Sequence, residues 1–112
     1  MKDTGIPSDR LGKNPNVSAL ILSSLAGGEK HGYALVKDVA EFAGVELPPG
    51  TLYEALARLE RQRLVEALPS QDRRRPYRLT ALGAAVLRAH LDAQRQIADV
   101  GLQRLAGNWG AA

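Results

Sequence analysis

A cluster of arginines between residues 70 and 80 is the strongest candidate for binding chemistry in this sequence. It contains Arg73, Arg74, Arg75 and Arg78 against a single acid, Asp72. Three consecutive arginines repel one another unless a counter-charge lies nearby, so the cluster suits a polyanion such as a nucleic-acid backbone. A solvated loop is the alternative. The net charge of +3 and the pI near 9.6 permit a polyanionic partner without demanding one.

The residue types that carry enzymatic chemistry are sparse. The sequence has no cysteine and only two histidines, His31 and His90, which belong to different predicted helices and have no carboxylate cluster at metal-ligand spacing. A glycine-rich phosphate loop and a nucleophile with an adjacent base are also missing from the sequence. We therefore expect a protein that is not an enzyme and that uses no metal or other cofactor.

A second set of polar side chains lies in residues 49–63. Leu52, Leu56 and Leu59 form one apolar stripe, which predicts a helix with one side packed on a core. Tyr53 lies at the boundary of the opposite side. That side carries Gly50, Thr51, Glu54 and Arg58. Short hydrogen-bonding groups near a helix N-terminus, with cations further along, suit a helix laid into a DNA groove.

Two local interpretations compete with DNA contact in this helix. Thr51 and Glu54 match a capping box, in which Thr51 accepts from the backbone N–H of residue 54 and the helix begins two residues later. Arg58 could pair with Glu54 one turn away. At a groove, Thr51 would instead touch a phosphate or a thymine methyl group. Glu54 would accept from a cytosine amino group or repel a misaligned phosphate.

Two amphipathic helices precede this stretch. The first starts near Asn16 or Ser18, either of which could cap it, and stops at two glycines. Its predicted inward residues are Val17, Leu20, Ile21, Ser24 and Leu25. The second follows His31 and ends at Gly44. Its predicted inward residues are Leu35, Val36, Val39, Ala40 and Ala43. Two prolines then keep the connection to the third helix extended.

A hairpin and a long helix complete the predicted elements. Residues 64–68 and 77–79 suit two short strands joined by a polar turn, so the arginine cluster lies at the hairpin tip. Arg78 could pair with Glu66 across the hairpin. Thr80 is a good cap for a helix that runs to about Leu105.

The long helix carries two adjacent apolar stripes. One consists of Leu82, Val86, Ala89, Ala93, Ile97 and Val100. The other consists of Leu87, Leu91, Ala98, Leu102 and Leu105, with Trp109 beyond them. A helix of about 35 to 40 Å is too long to be covered by so small a core. We therefore expect one stripe to pack on its own domain and the second on another copy of the chain. Packing of both stripes within one subunit is the alternative.

The order of helix, helix, helix, hairpin and long helix predicts a mainly α fold with a small β-hairpin. We expect a winged helix-turn-helix followed by a long C-terminal dimerisation helix. The third helix would read base edges in the major groove, while the wing's arginines contact phosphate or the adjacent minor groove. We expect a flexible arm at residues 1–15, the DNA-binding domain at 16–80, the dimerisation helix at 81–106 and a flexible tail at 107–112.

Three blocks of the sequence resemble the PadR family of bacterial transcriptional regulators. They are His-Gly-Tyr at 31–33, Pro-Gly-Thr-Leu-Tyr at 49–53 with Ala-Leu and Arg-Leu-Glu after it, and Arg-Pro-Tyr-Arg-Leu-Thr-Ala-Leu-Gly at 75–83. The match covers residues 17–90. The resemblance implies a homodimer, usually a repressor, that binds an inverted repeat and often releases it when a small molecule binds. In the short subfamily one C-terminal helix forms the dimer.

The chain departs from the family pattern at three positions. Pro48 stands where the family often has a serine that caps the third helix, and Glu54 stands where a proline is usual. Arg63 stands where a glycine usually ends the helix. A left-handed conformation at Arg63 would cost roughly 1 kcal/mol.

The second helix adds further candidate contacts at its start. His31, by resemblance, and Tyr33, by its place at a helix N-terminus, become candidate phosphate contacts, with Lys37 one turn further on. Alternatively, His31 is an ordinary loop residue and Lys37 is a solvated side chain. Tyr53 would pack its ring and offer its hydroxyl to a phosphate. Trp109 is a candidate contact for a small apolar or aromatic effector, although packing on the partner or a disordered tail suits its late position better.

The composition favours one cytoplasmic domain built from helices. The chain has 112 residues with one Phe, three Tyr and one Trp, so Leu, Val, Ile and Ala must form its core. The lack of cysteine fits a reducing compartment, and no apolar run is long enough to span a membrane. The expected partners are double-stranded DNA and a second copy. Rival functions are a winged-helix module that binds an acidic protein, and a MarR-like regulator, which is disfavoured because that family flanks its winged helix with helices at both ends.

Overall fold

The computed structural model describes residues 15–70, 72 and 74–109. Its helices are α1 (Pro15–Ala26), α2 (Gly32–Ala43), α3 (Pro49–Arg61) and α4 (Ala81–Arg104), and its antiparallel strands are β1 (Val65–Ala67) and β2 (Tyr77–Leu79). The helical backbone continues past α4 as a π-helical turn, Leu105–Trp109. This architecture confirms the mainly helical fold with a small hairpin and a long C-terminal helix. Residues 1–14 of the predicted arm, Arg73 and residues 110–112 of the predicted tail lie outside the described residues.

The first helix begins earlier than predicted. Pro15 is its first residue, so Asn16 and Ser18 lie inside the helix and the prediction that one of them caps it is wrong. Proline suits a first helical position because the N–H that it lacks would have no partner within the helix. Ile21, Leu22 and Leu25 are buried, and Ser18 is fully buried as well.

The second helix has the predicted ends, but its buried face is narrower than predicted. Gly44 caps its C-terminus with φ 68°, and the Gly44 N–H donates to the carbonyl of Ala40. Leu35 and Val39 are buried. Ala40 and Ala43 are exposed, contrary to prediction: the apolar side chains that the helix buries are Leu35 and Val39, one turn apart on a single face.

The third helix begins at Pro49, and this start decides between the two interpretations of its first turn. Thr51 and Glu54 lie inside the helix, so the capping-box interpretation is wrong. Pro48 occupies the cap position and supplies no side-chain hydrogen bond. After the helix, Arg63 has φ 65°, the left-handed conformation for which glycine is the usual residue.

One hydrophobic core joins the three helices to the hairpin and to the first turns of α4. Its fully buried side chains include Ile21, Leu22, Leu35, Val39, Leu52, Leu56, Leu59, Leu64 and Val65. Burying one such side chain stabilises the fold by about 1.5–3 kcal/mol. The predicted leucine stripe of α3 is therefore confirmed, and its burial fixes which face of that helix reaches solvent.

The hairpin forms the wing and is tied to the rest of the domain by a third short segment. Its register pairs Val65 with Leu79 and Glu66 with Arg78. Lys30, just before α2, makes an isolated bridge to Tyr77 through two backbone hydrogen bonds of 2.8 and 3.2 Å. The wing is thus held to the start of the helix-turn-helix by backbone as well as by packing.

Thr80 connects the wing to α4, as its predicted capping role requires. Its Oγ1 accepts from the backbone N–H of Gly83 at 2.9 Å and donates to the carbonyl oxygen of Arg63 at 2.8 Å. Gly83 lies so close to the carbonyl of Leu64 that a Cβ there would overlap it. Glycine at this position therefore allows α4 to start directly against the end of the preceding turn.

The face of α4 that packs on the domain differs from the prediction. Its buried residues are Gly83, Val86, Leu87 and His90, so the face takes one residue from each predicted stripe. Leu87 is only 6% exposed, and its assignment to a dimer interface is corrected: it belongs to the core of its own chain. Past His90 the helix leaves the domain. The alternative in which one subunit covers both stripes is wrong, because Leu91, Ile97 and Leu102 are all exposed.

Candidate nucleic-acid interface

The solvent-facing side of α3 carries the predicted polar set close to the helix N-terminus. Gly50, Thr51 and Glu54 are exposed, and Tyr53 is 52% exposed. Within the described part of the chain, neither the Thr51 hydroxyl nor the Glu54 carboxylate has a hydrogen-bond or ion-pair partner. Both side chains are therefore available to a ligand. Nothing lies within 4 Å of a Cβ built at Gly50, so the backbone there can be approached closely.

Tyr53 brings α3 against the N-terminus of α2. Its hydroxyl lies where a Cβ of Gly32 would be, so any side chain at residue 32 would overlap it. Gly32 is the first residue of α2, whose first N–H groups have no partners within the helix. A helix N-terminus with a neighbouring hydroxyl group suits an anion such as a phosphate.

His31 caps α2. Its Nδ1 accepts from the N–H of Ala34 at 3.5 Å, which requires that the proton of the neutral ring be on Nε2. The His31 ring is half-buried and takes part in the cap, so the alternative of an ordinary loop residue does not hold. The predicted phosphate contact would use Nε2–H as the donor.

Tyr33 and Lys37 extend this surface along α2. Tyr33 is 68% exposed, and Lys37, one turn further on, is exposed too. A groove of about 560 Å³ separates Tyr33 from the start of α3 and is lined by Val36, Leu47 and Pro48 among others. The structure therefore brings Tyr33 and Tyr53 to one groove. His31 caps α2, and Gly50, Thr51 and Glu54 lie in the first two turns of α3.

Arg58 has a partner that the sequence did not predict. Its Nη2 donates to the hydroxyl of Ser18 on α1 at 3.1 Å, and the side chain is half-buried. Its Nε is buried without a hydrogen-bond partner. The alternative prediction, an ion pair between Arg58 and Glu54, is not observed. The predicted base contact stays a prediction, whereas the observed bond assigns Arg58 to holding α3 on α1.

The wing tip carries exposed cations beside a compact turn. Arg74 and Arg75 are exposed, and Arg73 lies outside the described residues. The Asp72 carboxylate accepts from the backbone N–H of Arg74 at 2.9 Å and from the Ser70 hydroxyl at 3.0 Å. These two hydrogen bonds lower the pKa of Asp72. The turn is thus closed by an acid, while both arginine side chains project into solvent.

Arg78 differs from the other wing arginines. Its Nη2 is paired with the Glu66 carboxylate directly across the hairpin, which confirms the predicted cross-strand pair. Among the wing arginines that the structure describes, Arg78 is therefore the one whose charge is already balanced.

A polar cluster that sequence reasoning missed supports the helix-turn-helix from behind. Lys30 Nζ donates to the carbonyl of Ser24 at 2.5 Å and lies 4.0 Å from Asp38 Oδ2. The Ser24 hydroxyl donates to the same Asp38 oxygen at 2.6 Å. Burial raises the pKa of Tyr77, the wing residue that bridges to Lys30. Ser24, Lys30 and Asp38 come together only in the folded chain. The predicted inward position of Ser24 was the one sign of this cluster in the sequence.

The predicted dimer face is exposed along the second half of α4 and the π-helical turn that follows it. Leu91 is 44% exposed, Leu102 67%, Leu105 52% and Trp109 72%. Ala98, between them, is exposed as well. A run of apolar residues left uncovered along one helix is typical of a protein–protein contact.

Neither a metal-binding cluster nor a membrane-spanning helix accompanies this surface in the described residues. In residues 15–70, 72 and 74–109, no group of three or more histidine, aspartate or glutamate side chains is arranged to hold a metal ion. Over the same residues, no helix combines the length and the apolar character needed to cross a membrane.

The three helices, the wing and the exposed polar face of α3 define a winged helix-turn-helix protein. Residues 21–89 match the sequence model of the Transcriptional regulator PadR-like family. The chain belongs to this family, which confirms the resemblance seen in its sequence. Members of the family are transcriptional regulators and not enzymes, so the expectation of a non-enzymatic protein is confirmed through the family.

Solved structures and one curated protein are similar to the chain. A PadR family transcription regulator of Clostridium difficile is 33% identical with a TM-score of 0.71, over 80% of this chain and 97% of that one. A PadR family regulator of Eggerthella lenta is 34% identical with a TM-score of 0.64, over 87% and 80%. An uncharacterised 37.1 kDa protein in a transposon of Streptomyces fradiae is 46% identical over 68 residues, 61% of this chain. The chain spans about a fifth of that protein, since the match covers 20% of it.

Proposed function

We propose that the chain is a cytoplasmic, sequence-specific DNA-binding regulator that acts as a homodimeric repressor on an inverted-repeat operator. The observation that carries the proposal is the free polar face of α3. Thr51 and Glu54 are exposed and uncommitted because the helix starts at Pro49 rather than at a capping box. A helix that presents such groups beside its N-terminus suits the major groove.

The contacts of α2 would fix the protein on the phosphate backbone. The first N–H groups of α2 and the Tyr53 hydroxyl beside Gly32 could bind one phosphate, with Nε2–H of the capping His31 as a further donor. Tyr33 and Lys37 would meet the same strand. Such contacts position α3 without reading sequence, which leaves specificity to Thr51 and Glu54.

The wing would add salt-sensitive binding beside the groove. Arg74 and Arg75 are exposed and have no acid paired with their side chains among the described residues. Together with Arg73, they would contact phosphates or the adjacent minor groove. Each phosphate neutralised by a cation makes binding weaken more steeply with salt.

Dimer formation would use the exposed stripe of α4, from Leu91 through Ala98 to Leu102 and Leu105. Two copies related by a two-fold axis would place two α3 helices in successive major grooves, which is why an inverted repeat is the expected operator. We further propose that a small apolar or aromatic effector relieves repression by changing the distance between the two α3 helices. Trp109 remains a candidate contact for it.

A gel-shift experiment with DNA from upstream of the chain's own coding region tests the proposal. We expect saturable retardation that weakens steeply between 50 and 200 mM salt, by about three to five orders of magnitude for a protein with 6–10 phosphate contacts. An unrelated fragment of equal length is the control and should bind much more weakly. Equal retardation of both fragments, or none at low salt, would contradict the proposal. No retardation would favour an acidic protein partner for the wing.

A further inference from the structure

The groove between α2 and the start of α3, which we call the α2–α3 groove, has the size and lining of a small-molecule site. Its volume of about 560 Å³ falls within the range of about 300 to 1,000 Å³ that is usual for ligand pockets. Most of its lining is apolar or aromatic and includes Tyr33, Val36, Leu47, Pro48, Leu52 and Tyr53. Two of these residues, Tyr33 and Tyr53, are also proposed DNA contacts, so the groove lies within the proposed DNA-binding surface.

The fold holds the walls of the α2–α3 groove in place. Leu47 is 5% exposed and Leu52 is 1% exposed, so both belong to the hydrophobic core. Pro48 and Pro49 have fixed φ angles, which limit movement of the backbone at the start of α3. The groove is therefore formed before a ligand arrives, and a preformed site lowers the entropic cost of binding.

Two exposed tyrosine rings belong to the lining. Tyr33 in the first turn of α2 is 68% exposed, and Tyr53 in α3 is 52% exposed. A flat apolar molecule that covers these rings removes apolar surface from water. The face of each ring also carries partial negative charge, so it attracts a cation placed over it.

Charge selects the kind of ligand. Among the described residues that line the groove, Glu46 is the one with a charged side chain. Glu46 is exposed, and its carboxylate has no hydrogen-bond or ion-pair partner in the part of the chain that the structure describes. No lysine or arginine occurs in residues 38–57, and Lys37 is not among the lining residues. A carboxylate beside two tyrosine rings favours a cation and opposes a phosphate.

The N-terminus of α2 orients such a ligand. Gly32 also lines the groove, and the first N–H groups of α2 favour an anion there. A positive group is therefore favoured near Glu46 and disfavoured near Gly32. The ligand would direct its cationic group toward Glu46 and lay its ring on the tyrosines.

We propose that the α2–α3 groove binds a small aromatic cation and that an occupied groove excludes DNA. The exclusion rests on the proposed DNA-binding function, because a ring lying on Tyr33 and Tyr53 takes the space of the phosphate proposed to bind beside Gly32. Release of DNA in this way occurs within one subunit. It needs neither a change in the distance between two α3 helices nor a contact with Trp109.

Three naphthalene probes of equal ring size test the class of ligand. They are the cation 1-naphthylmethylammonium, the neutral 1-naphthylmethanol and the anion 1-naphthoate. By calorimetry with the full chain, we expect the cation to bind with a dissociation constant of about a millimolar or tighter. The neutral probe should bind more weakly and the anion most weakly. Binding of the anion as tight as that of the cation, or no binding of the cation at several millimolar, would overturn the proposed site.

Glu46→Gln tests the role of charge with little change of shape. We expect the affinity for the cationic probe to fall roughly 2- to 5-fold, with the affinity for the neutral probe unchanged. Glu41→Gln removes an exposed carboxylate near the end of α2 that does not line the groove, so it is the matched control and should change neither affinity. Equal losses in the two variants would overturn the assignment of Glu46.

NMR locates the bound probe. The ring signals of Tyr33 and Tyr53 should shift when the cationic probe is added, and the indole signal of Trp109 should not. Shifts confined to Trp109 would overturn the groove as the site and assign the ligand to the C-terminal turn.

Competition with the upstream DNA fragment of the gel-shift experiment separates failure of this inference from failure of the proposed function. The apparent dissociation constant for DNA should rise in proportion to the concentration of the cationic probe and reach no plateau. Tetramethylammonium at equal concentration corrects for the effect of added salt. Displacement of Glu46→Gln should need more probe than displacement of the natural chain, which excludes an effect of the probe on the DNA itself.

Two further outcomes of the competition experiment are decisive. A plateau would show that ligand and DNA bind together, and it would overturn the exclusion of DNA. Binding of the cationic probe by a chain that retards no DNA would overturn the proposed function while confirming the ligand site.

Discussion

Arg58 on α3 donates a hydrogen bond of 3.1 Å to the hydroxyl of Ser18 on α1, across 40 positions of sequence. Ser18 is fully buried, and the rest of α3 near Arg58 is anchored by Leu56 and Leu59 in the core. The helix expected to read DNA is therefore fixed in rotation by a polar contact as well as by its apolar stripe. The stability of that orientation can be measured separately from DNA binding.

Breaking the Arg58–Ser18 hydrogen bond should destabilise the domain. We expect Arg58→Ala and Ser18→Ala each to lower the free energy of unfolding by roughly 1.5–3 kcal/mol, because each removes a hydrogen bond between the guanidinium and the hydroxyl. A double-mutant cycle in urea should give a coupling energy of about 1 kcal/mol. Arg61→Ala, exposed on the same helix, is the control, with an expected change within about 0.5 kcal/mol. Additive effects of the two substitutions would contradict a direct interaction.

The same substitution has a predicted effect on DNA binding. If Arg58 chiefly positions α3, Arg58→Ala should weaken binding to all sequences by a similar factor. Thr51→Ala should instead change which bases are preferred. Competition between operator variants measures the difference. A change of base preference in Arg58→Ala would instead show that Arg58 contacts the bases directly.

A side chain at residue 32 should disturb the phosphate site between α2 and α3. Gly32→Ala must displace the Tyr53 hydroxyl, and we expect operator affinity to fall by roughly tenfold, the effect of removing one hydrogen bond to a charged group. Tyr53→Phe should lower affinity similarly, and Gly32→Ala in that background should reduce it little further. Gln62→Ala, exposed just past the C-terminus of α3, is the control and should leave affinity unchanged. Independent effects of the two changes would mean that the residues act separately.

The wing arginines should contribute through charge alone. Replacing Arg74 and Arg75 with alanine should weaken binding to operator and random DNA alike. It should also flatten the logarithmic salt slope by about 0.9 for each phosphate that is no longer neutralised. Arg78→Ala removes the same charge from a residue already paired with Glu66, so it should change the slope less. An unchanged slope in the Arg74 and Arg75 double variant would count against the wing as a DNA-binding element.

Arg63 holds a conformation that glycine adopts without strain. We expect Arg63→Gly to raise the free energy of unfolding by about 1 kcal/mol, since φ is 65° there. Chemical denaturation measures the change. Arg61→Gly, in the last turn of α3, should do the opposite and destabilise by roughly 0.5–1 kcal/mol. A loss of stability in Arg63→Gly would show that the side chain makes a contribution larger than the strain.

The wing tip should loosen in acid. The folded pKa of Asp72 lies below its ordinary value of 3.8, so its stabilising contribution is present above that value and is lost as the pH falls through the folded pKa. An NMR titration should show a low pKa for Asp72, and Ser70→Ala should raise it. Loss of protection of the Arg74 amide should follow the same transition. An ordinary pKa for Asp72 would mean that the turn is not closed in solution.

The elements and contacts that depend on local sequence could be predicted. The leucine stripe of α3, the Thr80 cap and the Arg78–Glu66 pair each follow from spacing along one element or one hairpin. The start of α3 could not be predicted, because a capping box and a proline-first helix suit the same residues. The observed start at Pro49 is what leaves Thr51 uncommitted.

Contacts between distant segments could not be predicted from sequence patterns. Arg58 finds Ser18, and Tyr53 meets Gly32, only when three helices have packed. Leu87 and Leu91 are one turn apart on the same predicted stripe. One is buried in its own domain and the other is exposed, because α4 leaves the domain between them. Helical periodicity gives the faces of a helix but not the point at which its neighbours end.

Selection of bound sequences from a random DNA pool tests the central claim most directly. We expect enrichment of an inverted repeat whose half-sites are centred about 10 base pairs apart, one helical turn, as two α3 helices of a symmetric dimer require. The same selection with Thr51→Ala should give an altered half-site. A bound pool without any enriched sequence, or one unchanged by the substitution, would contradict sequence reading by α3.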